Sequence, residues 1–119
     1  MTTQRRAVGA YGERVAAEHF RDEGLVILDQ NWRCADGELD LILRDGEDLV
    51  ICEVKTRLGD SYGPPAEAIT PRKVRKLRQL ARRWLDESGL RYRDVRFDVV
   101  EVMPQKKGAT LINHTRGAF

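Results

Sequence analysis

The sequence predicts a three-layer α/β/α domain, a central mixed sheet flanked by helices in the order α-β-β-β-α-β-β. Three observations carry that expectation. Three segments rich in Val, Ile and Leu follow one another with only Asp36-Gly37 and Asp45-Gly46 between them, the pattern of consecutive antiparallel strands. A strongly signalled helix then separates the third strand from a fourth, and a helix joining two strands of one sheet favours a parallel, right-handed crossover. With 119 residues, 41% hydrophobic and 34% charged, the chain supports one hydrophobic core and hence a single domain over residues 1–119.

Residues 7–23 suit a helix, with Gly24 as its C-terminal stop. The strands follow at 25–34, 38–44 and 48–57. Residues 58–69 contain Gly59, Gly63, Pro64 and Pro65 and read as a loop of the length often reserved for binding. Thr70 is a good N-cap and Pro71 suits the first position of a second helix. Val74, Leu77, Ala81, Trp84 and Leu85 form its apolar stripe, and Gly89 ends it. A strand at 95–103 and a shorter one near Leu111 and Ile112 complete the order.

Composition narrows the class of protein. No stretch approaches the ~20 apolar residues of a membrane span, and the polar residues 1–6 lack the apolar core of a signal peptide, so a cytoplasmic location is expected. Cys34 and Cys52 form no CxxC pair and read as reduced, packed thiols. The net charge of +2 implies little; its distribution implies more. Between Glu67 and Asp86 the only charged residues are Arg72, Lys73, Arg75, Lys76, Arg78, Arg82 and Arg83. Their crowding toward the N-terminal half, with Asp86 and Glu87 at the other end, opposes the helix dipole by ~0.3 to 1 kcal/mol per charge. Phosphates approaching this helix would offset that cost, which makes Arg72, Lys73 and Lys76 nucleic-acid-binding candidates, joined by Tyr62 of the loop as a stacking residue. A solvated helix face is the ordinary alternative.

The acids give a sharper pattern. Strand alternation places Leu49, Ile51, Glu53 and Lys55 on one face of the third strand. In the second strand Leu39, Leu41 and Leu43 form an apolar face and leave Glu38, Asp40 and Ile42 on the other. Matching the apolar faces puts Asp40 beside Glu53 and Lys55, and a four-residue loop from Asp45 to Asp48 sets Asp40 directly opposite Glu53. Two carboxylates so placed repel and lose hydration, which a Mg²⁺ or Mn²⁺ ion relieves. Glu13 borders the apolar face of the first helix; it points either toward that cation or outward as a surface side chain. A structural ion-pair cluster is the competing assignment for Asp40, Glu53 and Lys55. Asp98 shares a strand face with Val100 and Val102 and either supports the site or stabilises the fold through a hydrogen bond, so it stays outside the catalytic set; His19 and His114 read as isolated.

Gly12-Glu13 in a helix, Gly37-Glu38-Leu39-Asp40 on one strand and Glu53-Val54-Lys55 on the next together resemble the PD-(D/E)XK nuclease superfamily with its restriction-endonuclease-like fold. The chain most closely resembles the YraN family of predicted endonucleases, similar in shape to archaeal Holliday-junction resolvases. Asn31, Tyr62-Gly63, Pro65, Arg96-Phe97-Asp98 and Ala118-Phe119 extend the likeness over nearly the whole chain; Leu39 stands where many members carry proline. The resemblance implies a metal-dependent endonuclease, with DNA favoured over RNA as its nucleic acid and structured or branched DNA among the candidate substrates. Asp40 and Glu53 would be metal ligands, with the Val54 carbonyl as a further candidate. Lys55 would position the attacking water, and Glu13 would be an additional helix acid. A silent nucleic-acid-binding module and a protein-interaction domain are the other functions open to such a chain, and a homodimer is one assembly open to it.

Overall fold

The computed structural model describes residues 3–58 and 70–119. Its elements are α1 (Thr3–Asp22), β1 (Val26–Cys34), β2 (Gly37–Asp45), β3 (Asp48–Thr56), α2 (Pro71–Ser88), β4 (Val95–Met103) and β5 (Leu111–Thr115). The predicted order holds; α1 begins earlier than expected and β5 continues to Thr115. The strands lie side by side in chain order, antiparallel except for the parallel pair β3 and β4 that α2 connects. No helix among the described residues is long and apolar enough to cross a membrane.

Local chemistry sets the boundaries. The Thr70 hydroxyl accepts from the Lys73 amide at 3.1 Å and opens α2, while Gly89, at φ 69°, returns its N–H to the Leu85 carbonyl and closes it. Asp45 pairs with Asp48 across a two-residue turn, and Gly46 occupies its first position at φ 60°.

Two separate apolar clusters define the layers. On one face Ala16 and Phe20 of α1 pack on Leu41, Leu43, Val50, Cys52, Val100 and Val102. On the other, Leu77, Leu80, Ala81 and Trp84 of α2 pack on Leu39, Ile42, Leu49, Ile51 and Phe97. Covering both faces explains why Leu41, Ile42 and Leu43 are all fully buried, so that the central strands read as nearly continuous apolar runs. Trp84 is a core residue, as expected, and its indole N–H donates to Asp29 at 3.2 Å. One expectation is corrected. Leu39 packs beneath α2 with Ile42 instead of sharing the face of Leu41 and Leu43, because the alternation of β2 breaks at Asp40.

Candidate active site

The break in β2 makes the site. Pairing between β2 and β3 runs from Asp45↔Asp48 to Leu41↔Cys52, the register expected from the hairpin, and goes no further. At the next position the Asp40 side chain takes over, its Oδ2 accepting from the Val54 amide at 2.9 Å. On the other side of Asp40, the β1 register passes from Gln30↔Leu41 to Trp32↔Leu39 across Asn31, whose φ is 52°. Asp40 therefore sits where the sheet opens, with Glu53 and Lys55 beyond the end of the β2–β3 ladder.

Asp40 and Glu53 line one cleft beyond the last paired position, on the register that sets them facing each other. Burial, and after it the charge of Asp40, push the Glu53 carboxyl up to about 7, against the opposing pull of Lys73 and Lys55. Lys55 is half-buried; burial and then the adjacent Lys73 ammonium lower its pKa. An open cleft of about 400 Å³ is lined by Glu38, Asp40, Glu53, Lys55, Lys73 and Lys76 among others. Lys73 and Lys76 also line a shallower depression with Thr70, Arg72, Arg75 and Gln79, so the acid site runs into the basic flank of α2.

Glu13 is tied to this region through Asn31, which stands in β1 between the pairs that flank Asp40. Its Oε2 accepts from the Asn31 side-chain amide at 3.0 Å; burial, joined by Asp40 and Glu38, raises its pKa against that hydrogen bond. Arg72 lies on the exposed flank. Arg78 stacks over the Phe97 ring at 5.3 Å and Arg83 pairs with Asp36 and Glu87, so these two cations are engaged within the fold. Tyr62 lies outside the described residues. The direct approach of Lys73 to Lys55 and Glu53 is not predicted from the strand pattern, although its spacing of four from Leu77 places it on the buried stripe of α2. Asn31 carries no such spacing signal and stands out in the sequence only through the family likeness.

Hard carboxylate oxygens on two adjacent strands, unneutralised by each other, are the donor set that Mg²⁺ and Mn²⁺ take from proteins. Among the described residues no three His, Cys, Asp or Glu side chains converge into a preformed cage. One or two carboxylates suffice for Mg²⁺, which keeps most of its waters. Asp40 and Glu53 therefore fit such an ion.

A second acid has the opposite surroundings. Asp98 is fully buried, and burial alone would raise its pKa; instead its partners hold it below the usual carboxylate range. Arg96 donates twice, at 2.9 and 3.1 Å, the Gly117 amide donates at 3.0 Å, and His114 lies at 2.8 Å. His114 Nδ1 in turn meets His19 Nε2 of α1 at 3.4 Å, so the two histidines read as isolated are joined in one line to Asp98. Of the two roles open to Asp98, its contacts describe the stabilising one.

The molecule is thus an α/β domain whose sheet ladder breaks at a carboxylate pair flanked by two lysines. The chain belongs to the uncharacterised protein family UPF0102, whose model matches residues 12–102 and spans every site residue from Glu13 to Lys76. A UPF0102 protein of Nocardioides is 50% identical over 95% of this chain and 91% of its own length. Those of Beutenbergia cavernae and Frankia alni are each 53% identical, over 93% and 95% of this chain and 94% of their own lengths. Membership bears out the YraN likeness and brings no assigned activity with it.

Proposed function

We propose that this protein is a divalent-metal-dependent endonuclease that hydrolyses phosphodiester bonds in DNA, structured or branched DNA included. The observation that carries the reading is the meeting of Asp40 with Glu53 beside Lys55 and Lys73. Like charges that converge in pairs, two negative and two positive, have their cost offset by a cation on one side and a phosphate on the other. A Mg²⁺ or Mn²⁺ ion held by Asp40 and Glu53 would supply Lewis-acid stabilisation of the phosphate and lower the pKa of a water. Lys55 orients that water and neutralises charge growing on the phosphate oxygens, while Lys73 holds a non-bridging oxygen from the α2 side. The water gives up a proton to solvent as its oxygen bonds to phosphorus, one P–O ester bond breaks, and the leaving oxygen takes up a proton from solvent. Arg72, Lys76 and the exposed flank of α2 carry the flanking phosphates, so affinity and chemistry rest on largely separate residues.

The test is cleavage of linear, flapped and four-way-junction DNAs with Mg²⁺ or Mn²⁺. Lys55→Ala is expected to slow cleavage by roughly 10² to 10³ while DNA binding stays within a few fold of wild type. A Lys55→Ala protein that cuts at the wild-type rate, with contaminating nuclease excluded, would overturn the assignment. DNA binding without cleavage of any substrate would favour a silent binding module on the same fold.

A further inference from the structure

Asn31 takes no part in the chemistry above, yet two features set it apart. It is the only non-glycine among the described residues with a positive φ, and its side-chain amide reaches across to Glu13 of α1 at 3.0 Å. It also stands on β1 at the point where the register passes Asp40. Left-handed backbone in an ordinary residue is worth relating to function when it occurs beside a site.

Glu13 needs such a partner. Its carboxylate lies in the field of Asp40 and Glu38, which repels it, and a half-exposed glutamate is free to swing into water. Helix α1 is brought close by Gly12, where an added Cβ would overlap Thr56 Oγ1 and lie 3.0 Å from Thr56 Cβ, one residue beyond Lys55. The backbone approach thus delivers Glu13 to the site, but only a donor can keep its carboxylate there. Asparagine combines tolerance of the left-handed region with a side-chain N–H; glycine offers the first alone, glutamine the second, and aspartate has no donor when ionised.

We propose that Asn31 is a positioning residue that holds the Glu13 carboxylate beside Asp40, where its charge strengthens the attraction for a divalent cation. This rests on the metal-dependent reading of the site. The test is calorimetric titration of Mn²⁺ into wild type, Asn31→Gly, Glu13→Gln and the double variant. Asn31→Gly keeps the backbone conformation and removes the donor; its melting midpoint is expected within a few degrees of wild type, and its Mn²⁺ affinity lower by on the order of tenfold. The double variant should bind Mn²⁺ as Glu13→Gln alone does. Wild-type affinity in Asn31→Gly, or a loss that adds in full to that of Glu13→Gln, would overturn the proposal. If wild type binds no Mn²⁺ at all, the metal reading fails, and the contact is judged separately. The Asn31 side-chain amide signals in a ¹H–¹⁵N spectrum then shift in Glu13→Gln if Asn31 holds that carboxylate, and stay in place if it does not.

Discussion

Asp98 and Glu53 are acids one register step apart on neighbouring strands, facing opposite sides of the sheet, and their surroundings could hardly differ more. Asp98 is enclosed and receives an arginine fork, a backbone amide and a histidine, which together lower its pKa despite burial. Glu53 is only partly enclosed, yet burial and the facing Asp40 raise its carboxyl to about 7. A buried charge supplied with donors belongs to the fold. One turned toward another of its own sign stays raised even with Lys55 and Lys73 beside it, the pattern that singles it out as a candidate functional group.

The largest expected effect lies on the structural side of this contrast. Asp98→Ala takes two hydrogen bonds from Arg96, which keeps its bond to Asp45, and leaves His114 without its acceptor, and breaking a buried pair of this kind costs about 3 to 5 kcal/mol. Urea unfolding measures it, and a loss under about 1 kcal/mol would mean that the Asp98 network is decorative. At the candidate site the sign reverses. Because the Glu53 carboxyl is raised from its ordinary 4.5 to about 7, the folded protein binds more protons than the unfolded chain across that window, and stability falls as pH rises through it. Metal-free Glu53→Gln should therefore be more stable than wild type at pH 8, by up to about 3 kcal/mol at about 1.4 per pH unit, and equal to it at about pH 4. Asp98 runs the other way, its contribution present above the usual carboxylate range and lost as pH falls through its depressed pKa. Equal stability of Glu53→Gln and wild type at every pH, with EDTA present, would mean that Asp40 and Glu53 do not strain one another.

The smallest effect concerns α2, where charge is exposed instead of buried. Removing Arg72, Lys73 and Lys76 together should flatten the salt dependence of duplex DNA binding by ~0.9 in log–log slope for each phosphate that is no longer neutralised. An unchanged slope would return this helix to a solvated surface and leave the Asp98 and Glu53 contrast without a nucleic-acid ligand to explain it.

Much of this molecule is legible in the residues because the rules involved are local. Thr70-Pro71 and Gly89 bound α2, the period of two puts Glu53 and Lys55 on one face, and the Asp45 to Asp48 hairpin sets a register that aims Asp40 at Glu53. Each depends on backbone preferences within a few residues, so sequence determined the elements, their order and the register that brings Asp40 toward Glu53. Tertiary structure alone decided the rest. Leu39 changes sides where the ladder breaks at Asp40, since with both faces buried alternation cannot say which helix an apolar residue meets. His19 joins His114, Asn31 joins Glu13 and Lys73 joins Lys55 through contacts between elements far apart in the chain. Such pairs are set by how close two packed layers come, a distance that no periodicity along a single strand or helix encodes.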